Sequence, residues 1–419
     1  MPFFRGLSII ALYSNEIRSE TMKNSHASPR RRASQAPSLP MILLLLVLLI
    51  AVGVAVGKRV GQKNAEGTPI PPAPTESAAP AAVLSPAEPA EKYAQEQDFL
   101  ISVIGDNTLA SHQFAGATVT FAARMGDDYS YPYSNTVQYF ENDDFTITNL
   151  ECTLSDDKNL RSAEQWYFKS PSAYAQILTE GGVDFVTTAN NHMGDFGEKG
   201  EQDTYAALEE YGISYGKEDD FKVITTDSGL VIGVYCAYNH LKPLLGHAEH
   251  AIQMLKNAGC EYIICAFHWG QELYYTPNQD QIDLAHACID AGADLIYGSH
   301  THCLQPIERY GDGYILYSMG NWSFGGSTGP TDPDTAIIQV NVHRDKDGKC
   351  INKELNIIPC CVSSKPVLEG YRGDNYNDYC PTPYTEGSEA YERVLSKLDG
   401  SYEAKVQGRD YSDVYAQYG

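Results

Sequence analysis

The sequence has little positive charge after residue 63 and no cysteines in CxxC spacing. Residues 1–63 hold nine Lys and Arg against two Asp and Glu, which leaves 21 basic and 52 acidic residues, a formal charge of −31, for the remainder. Such an acidic body repels nucleic acid, so we expect no nucleic-acid partner, and a polyanionic substrate would need a metal ion or a basic pocket. Without CxxC spacing, a thiolate zinc site or a thioredoxin-type centre is unsupported.

The ten cysteines divide into two groups by sequence context. Cys236, Cys265 and Cys288 lie within apolar strand or helix patterns, where a lone thiol behaves as a small hydrophobic side chain. The cysteines of the looser carboxyl-terminal part are the candidates for disulfide bonds in an exported protein. These are Cys350, Cys360, Cys361 and Cys380.

One long apolar run, MILLLLVLLIAVGVAVG at residues 41–57, contains no charged residue. Its 17 residues are at the short limit for a membrane-spanning helix, and basic residues flank it on both sides. We predict an uncleaved single-pass membrane anchor in preference to a cleaved signal peptide. A disordered cytoplasmic tail at 1–40 would precede it, and a Pro/Ala-rich linker at 58–97 would hold an extracellular body away from the cell membrane.

From residue 98 to about 302, apolar strand patterns alternate with helical patterns at 172–181, 203–211, 247–259 and 278–292. This alternation is typical of a mostly parallel sheet covered by helices. From Ile307 the turns GDG and DKDGK indicate antiparallel hairpins, and a last helix is predicted at 388–398. The sequence therefore predicts an α/β fold with two packed sheets.

Polar residues follow five of the apolar strands where each strand ends. Because the carboxyl ends of parallel strands meet at one edge of a sheet, we expect these side chains to share a pocket, and the repeated pattern predicts a metal centre. His300 and His302 are two residues apart, so on a strand both imidazoles would point to the same side. The residues concerned are Asp106, Glu151, Asn190, Asn191, His192, His268, His300 and His302.

Mixed oxygen and nitrogen ligands suit manganese, iron or zinc better than calcium or magnesium. The Glu151 carboxylate can bridge two ions, and the Asn191 amide oxygen can complete one coordination shell. Two ions roughly 3.5 to 4 Å apart would activate a shared water on a phosphoester, so hydrolysis is the predicted reaction class. Asp195 can hold the nearby imidazole of His192 or carry a proton, and Asn321 either contacts substrate or forms a turn.

Several aromatic and imidazole side chains fall outside this pattern. Tyr131, Tyr133 and Trp166 could line the rim of a cleft, but core packing is the favoured interpretation for each. His112 is either a ligand or has no role. The histidines interpreted as structural are His240, His247, His250, His286 and His343.

Taken together, six motifs resemble the CapA family of bacterial capsule-synthesis proteins. That family is associated with poly-γ-glutamate, and its fold resembles that of calcineurin-like metallophosphatases. The resemblance covers about residues 98–364, which we predict as the main domain, with a C-terminal extension at 365–419. The motifs are GD at 105–106, NLE at 149–151, ANNHMGDFG at 189–197, FHWG at 267–270, GSHTH at 298–302 and YSMGNW at 317–322.

The resemblance implies a layered αββα sandwich with a site for two divalent metal ions, and the residues predicted to be catalytic are Asp195 and His192. The implied metal ligands are Asp106, Glu151, Asn191, His192, His268, His300 and His302. The residues predicted to contact substrate are Asn149, Asn190 and Asn321. Two positions depart from the pattern: Thr108 replaces a histidine, which leaves one ion short of a ligand, and Trp322 replaces a phenylalanine.

Two functions from different classes follow from the sequence. The leading one is a membrane-anchored, metal-dependent hydrolase of the phosphoesterase type that acts in extracellular capsule or poly-γ-glutamate biosynthesis or export. The alternative is a non-catalytic, polymer-binding subunit of a capsule export complex, and a peptidase acting on γ-linked glutamate is a third option. The expected partners are the membrane, other capsule synthesis or export proteins, and an anionic polymer or phosphoester substrate.

Overall fold

A computed structural model of the chain describes residues 96–238 and 244–402. The predicted tail at 1–40, the anchor at 41–57 and nearly all of the linker at 58–97 lie outside the described residues. Within those ranges, no helix combines the length and the apolar character that crossing a bilayer requires. The α/β character predicted from the sequence is confirmed.

Strands and helices alternate in the first part of the chain, and hairpins follow. The strands are β1 (Gln97–Thr108), β2 (Phe145–Leu150), β3 (Thr153–Leu154), β4 (Lys169–Ser170), β5 (Phe185–Thr187), β6 (Ser214–Gly216), β7 (Asp220–Thr225), β8 (Val231–Tyr238), β9 (Tyr262–His268), β10 (Leu295–Ser299), β11 (Ile307–Tyr310), β12 (Gly313–Leu316), β13 (Asn321–Phe324), β14 (Asp334–Arg344), β15 (Cys350–Cys361) and β16 (Thr382–Pro383). The helices are α1 (Phe121–Met125), α2 (Ala175–Glu180), α3 (Gly197–Glu210), α4 (Leu244–Asn257), α5 (Gln279–Ala291), α6 (Lys365–Leu368) and α7 (Glu389–Leu398). Short 3-10 turns lie at Tyr131–Tyr133, Val137–Tyr139 and Ser172–Tyr174.

The described residues form two large mixed sheets and a small ribbon of β3 and β4. The first sheet has the order β16-β15-β14-β1-β2-β5-β6, with β13 also paired to β1, and the second has the order β11-β12-β10-β9-β8-β7. The strands that end in the candidate site residues pair in parallel. In the first sheet these are β1, β2 and β5, and in the second sheet β8, β9 and β10 pair in the same way. The predicted hairpins are divided between the sheets: β11 and β12 join the second, whereas β14 and β15 join the first.

Three groups of buried side chains divide the body into four layers. One group lies between the sheets and includes Val103 from β1 and Val234 from β8. A second group covers the outer face of the first sheet with Ile177 of α2 and Leu208 of α3, and a third covers the outer face of the second sheet with Ile252 of α4. Because side chains alternate along a strand, each sheet has one face toward the other sheet and one toward helices, which produces αββα layering.

Helix α3 begins at Gly197, six residues earlier than the sequence predicts. Gly197 and Gly200 have low helix propensity, so the local pattern does not reveal the first turns. In the folded chain a Cβ on Gly200 would meet Phe196 and Thr153, so only glycine lets the helix start approach β3 this closely. The helix therefore starts directly after the loop that carries the candidate site residues.

The described part of the predicted C-terminal extension shares the core of the main body. Strand β16 pairs with β15, and Ala390, Val394 and Leu398 of α7 belong to the group of side chains between the sheets. Helix α7 begins with the Ser388 hydroxyl accepting the backbone N–H of Tyr391, a common helix cap. Stability of the sheets thus depends in part on residues beyond 364.

All ten cysteines lie in the described ranges, and each is a free thiol. Cys236, Cys265 and Cys288 are fully buried, as predicted for thiols that act as small hydrophobic side chains. The disulfide bonds considered for the carboxyl-terminal cysteines are absent.

Candidate metal centre

The polar strand ends of both sheets meet at one place. Asp106 lies near the end of β1 and Glu151 directly follows β2, both in the first sheet. His268 is the last residue of β9 and His300 directly follows β10, both in the second sheet. Two sheets that pack face to face therefore bring together residues that lie far apart in the sequence.

One cluster of potential ligands surrounds the Nε2 atom of His268. This atom lies 3.1 Å from His300 Nδ1, 3.4 Å from Glu151 Oε1 and 2.7 Å from Asn191 Oδ1. The potential ligand atoms of Glu151, His268 and His300 all lie within 4.8 Å of one another. Two imidazoles, a carboxylate and an amide oxygen are a donor set that suits manganese, iron or zinc.

A second cluster consists of Asp106, Glu151 and His302, whose potential ligand atoms also lie within 4.8 Å of one another. Glu151 belongs to both clusters, which is the position that a bridging carboxylate would occupy. Its Oε1 atom is buried and has no hydrogen-bond partner among the described residues. Because a buried charged oxygen without a partner is costly, this atom fits direct contact with a cation.

The charges of the site favour bound cations. Burial and the nearby Glu151 carboxylate raise the pKa of Asp106 to about 6. Burial alone would raise the pKa of Glu151 as well, but His302 and His268 lower it below its usual range. Burial, with His268 and His302 close by, holds the pKa of His300 well below its ordinary value, so this imidazole is neutral and has a lone pair to donate.

Two hydrogen bonds orient the imidazoles of the site. His268 Nδ1 lies 2.9 Å from the Ser299 hydroxyl, and an N–H donated there leaves the Nε2 lone pair directed into the first cluster. His302 Nδ1 lies 2.9 Å from Asn321 Oδ1, and Asn321 Nδ2 donates to the His302 carbonyl at 3.3 Å. Asn321 thus holds His302 in place, while its predicted contact with substrate stays a prediction.

Asn149 and Asn190 form a buried support behind the ligands. Asn149 Nδ2 donates to Asp106 Oδ1 at 2.9 Å, and Asn190 Nδ2 donates to Asn149 Oδ1 at 2.9 Å. Asn190 Oδ1 accepts the backbone N–H groups of His192 and Met193, both at 3.0 Å. These contacts within the protein engage both amides, so their positions favour support of the site over the predicted contact with substrate.

His300 and His302 do not alternate along a strand, contrary to the prediction. Strand β10 ends at Ser299, and the two histidines have positive φ angles of 91° and 55°. His300 belongs to the first cluster and His302 to the second. Such backbone conformations in non-glycine residues cost about 1 to 3 kcal/mol each and are common at functional sites.

His192 lies beside the two clusters. Its Nδ1 is 3.0 Å from Asp195 Oδ2, and its imidazole is in neither ligand cluster found among the described residues. Of the two roles predicted for His192, the structure therefore favours acid–base catalysis over metal binding. Burial lowers its pKa, but the hydrogen bond that its imidazole donates to Asp195 and the charge of Glu151 raise the pKa above the usual value overall.

Asp195 contacts His192 and the backbone beside it, while its predicted catalytic role stays a prediction. Its side chain is buried, and its Oδ2 atom also accepts the backbone N–H of Phe168 at 2.8 Å. The Phe168 ring packs edge-on against His192, with 4.6 Å between ring centroids. The imidazole is thus held from two sides, which is the arrangement a positioned proton donor needs.

The two departures from the family pattern have structural explanations. Thr108 Oγ1 donates to Glu151 Oε2 at 3.3 Å, so it contacts the shared carboxylate where a histidine would have supplied a ligand. Trp322 is fully buried against Tyr133 and Phe140, with ring centroids 6.3 and 6.2 Å away. The larger ring is accommodated in the core, away from the clusters.

A cleft of about 840 Å³ opens beside the clusters. Trp166, for which the sequence favoured core packing, is 48% exposed and lines this cleft, whereas Tyr133 is in the core as predicted. No lysine or arginine is found among the described lining residues, which include the acids Glu164, Glu272 and Asp332. Sequence patterns also missed Ser299 and Phe168, because a single polar or aromatic residue carries no periodic signal.

Comparison with known proteins adds a family match. The model of the bacterial capsule synthesis protein PGA_cap matches residues 100–325. The chain is 28% identical over 306 residues to capsule biosynthesis protein CapA of Bacillus anthracis, which covers 66% of this chain and 71% of that protein. It is 29% identical over 247 residues to PGA biosynthesis protein CapA of Bacillus subtilis strain 168, which covers 54% of this chain and 64% of that protein.

The match includes every residue of the two clusters. The chain spans about two thirds of the length of these two relatives. Among solved structures, Haemophilus influenzae NAD nucleotidase (NadN) aligns with 77% of this chain and 67% of its own, at 12% identity and a TM-score of 0.38.

Proposed function

Because the chain belongs to the bacterial capsule synthesis protein family PGA_cap, we propose that it is a metal-dependent hydrolase of the phosphoesterase type that acts in capsule or poly-γ-glutamate biosynthesis or export. Residues 41–57 would anchor it in the cell membrane with its C-terminal domain outside. Other capsule synthesis or export proteins would be its partners, and a phosphoester or an anionic polymer its substrate.

The position of Glu151 in both ligand clusters carries this proposal. A carboxylate shared by two ions is the arrangement of two-metal hydrolytic sites, and the donor set suits manganese, iron or zinc. When bound, two such ions polarise a phosphoryl oxygen and lower the pKa of a water molecule. Asp106, Asn191, His268, His300 and His302 would hold them together with Glu151.

The residues beside the clusters supply the proton. The oxygen of water bonds to phosphorus and loses a proton to solvent, while the bond to the leaving-group oxygen breaks and His192 donates a proton to that leaving oxygen. Asp195 accepts a hydrogen bond from His192 Nδ1–H. His192 Nε2 is therefore the nitrogen that donates the proton to the leaving oxygen. Phe168 restricts the rotation of the imidazole.

The alternative function, a polymer-binding subunit without catalysis, requires a cleft that attracts a polyanion. The acids Glu151, Glu164 and Asp195 line this cleft, and its described lining includes no lysine or arginine. An anionic polymer would therefore depend on bound metal ions for its attraction to the cleft. The hydrolase and the polymer-binding subunit would both need bound metal, so only a measurement of substrate turnover distinguishes them.

We expect the purified full-length chain to contain up to two equivalents of manganese, iron or zinc, measured by elemental analysis. Removing the ions with a chelator should abolish hydrolysis of phenyl phosphate and lower the melting temperature, because a ligand at about 100 times its Kd stabilises a protein by about 2.7 kcal/mol. Adding the metal back should restore both. A chain without stoichiometric metal contradicts the proposal, and metal-dependent binding of polymer without turnover supports the alternative.

His192→Gln should lower kcat by about 100-fold or more while leaving the metal content unchanged, because the loss of a general acid costs about 10² to 10⁴ in rate. His286→Gln is the matched control, since His286 pairs with Glu308 at 3.0 Å and does not line the cleft. It should leave kcat and metal content unchanged. Loss of a metal equivalent in His192→Gln would instead identify His192 as a ligand.

A further inference from the structure

An aromatic patch is formed by Trp166, which lines the cleft, with exposed Phe114 and half-buried His112 packed against it. Trp166 is 48% and Phe114 is 68% exposed. Their ring centroids are 5.7 Å apart at an interplanar angle of 83°, and the His112 ring lies 5.7 Å from Trp166 at 75°. Large apolar side chains that are exposed together commonly mark a binding surface.

The aromatic patch is held by contacts between two loops. The Gln113 side-chain amide donates to the Gln165 carbonyl, and the backbone N–H of Phe114 donates to His112 Nδ1 at 3.1 Å. The edge-to-face contacts leave Trp166 48% exposed. The patch is thus held in place by contacts between the loops, and the acid Glu164 lies beside Trp166 in the cleft lining.

The aromatic patch is continuous with the candidate metal centre. Trp166 lines the same cleft as Glu151 and His192. Two residues further along the chain, Phe168 donates its backbone N–H to Asp195 and packs its ring against His192. The segment 166–168 therefore leads from the patch to the proposed proton donor, which is the side on which a leaving group departs.

We propose that the aromatic patch binds a flat, uncharged ring in the leaving group of a phosphoester, with Trp166 as the stacking surface. This inference rests on the function proposed for the metal centre and names its substrate class. The Glu164 carboxylate, which lines the cleft together with Trp166, disfavours a second anionic group beyond the phosphoryl group that the ions would bind. A neutral ring avoids this repulsion and gains contact with the tryptophan face.

Hydrolysis of phenyl phosphate and methyl phosphate by the full-length chain tests this inference. In Trp166→Ala, kcat/KM for phenyl phosphate should fall about tenfold, whereas that for methyl phosphate should stay unchanged. Trp166→Phe should keep most of the activity on phenyl phosphate. Tyr371→Ala is the control, because it removes a ring that is 45% exposed but does not line the cleft. It should leave kcat/KM unchanged for both substrates. No loss, or an equal loss on both substrates, would overturn the inference.

Tryptophan fluorescence tests the patch without relying on catalysis. The chain has three tryptophans, all within the described ranges, and Trp269 and Trp322 are only 3% and 0% exposed. Phenylphosphonate should quench the emission of the full-length chain, methylphosphonate should not, and Trp166→Phe should abolish the signal.

The hydrolysis and fluorescence experiments distinguish failure of the proposed hydrolase from failure of the proposed ring binding. A ring-specific signal without any hydrolysis would support the patch and contradict the proposed hydrolase. Hydrolysis without ring specificity would support the hydrolase and contradict ring binding by the patch. Binding to lipid vesicles or self-association that is lost in Trp166→Ala, without a ring-specific signal, would assign the patch to another occupant and overturn the inference.

Discussion

Glu151→Gln should remove both metal ions and lower kcat/KM on phenyl phosphate by roughly 10⁴-fold, because it removes the charge that both ligand clusters share. Two bound ions contribute several kcal/mol to the stabilisation of the transition state, and each 1.36 kcal/mol is a factor of ten in rate. Glutamine keeps the size of the side chain, so packing is preserved and the loss is electrostatic. Elemental analysis and steady-state kinetics on the same preparation measure both effects.

Three further variants test whether the effect of Glu151→Gln comes from its position in both ligand clusters. Glu164→Gln removes a carboxylate from the wall of the same cleft, outside the clusters, and should keep both ions and most of the activity. His300→Ala and His302→Ala each change one cluster only, so each should lose one equivalent of metal and keep the other. If Glu151→Gln kept two equivalents, the shared-carboxylate centre would be wrong, and a melting curve would show whether a loss came from unfolding.

The second large effect concerns stability and the buried charge of Lys397 in α7. Its Nζ atom lies 2.7 and 2.8 Å from the two oxygens of Asp332 and 2.7 Å from Asp334 Oδ2. Burial alone would lower the pKa of Lys397, but the two aspartates raise it above its usual value. Arg393, one turn earlier, also binds Asp334 through two contacts of 2.6 Å. Lys397 and Arg393 of α7 thus pair with the aspartates at the start of β14 and hold the helix against this strand.

Lys397→Met should lower the free energy of unfolding by about 3 to 5 kcal/mol, because it leaves the buried Asp332 without its cation. Lys199→Met is the matched control: Lys199 also pairs with an aspartate, Asp203, but its side chain is 58% exposed against 2% for Lys397. An exposed pair contributes about 1 kcal/mol or less. Urea denaturation of the full-length chain, followed by circular dichroism, measures both variants.

The comparison of the two lysines also has an outcome that contradicts the expectation. Equal losses for Lys397→Met and Lys199→Met would mean that the buried network adds no more than a surface pair. Asp332→Asn combined with Lys397→Met should recover part of the loss, since the uncompensated charge is then removed as well. No recovery would attribute the loss to packing of the lysine stem.

Local patterns in the sequence were sufficient for the α/β class of the fold and for a list of candidate site residues, although the first turns of α3 were missed. Helix and strand periods depend on neighbours a few residues apart, which is why the α/β alternation and the hairpins after Ile307 could be predicted. The polar residues that end strands could be listed for the same reason. The membrane anchor at 41–57 likewise follows from composition alone and remains a prediction.

Only the tertiary structure decided how those residues are used. Glu151 meets His268 and His302 because two sheets pack with particular strand orders, and no local pattern encodes distances across more than a hundred residues. The assignment of His300 and His302 to different clusters depends on backbone angles beyond the strand end. The burial of Lys397 against Asp332 and the exposure of Trp166 likewise depend on which surfaces are covered, because burial is a property of the packed chain and not of any segment alone.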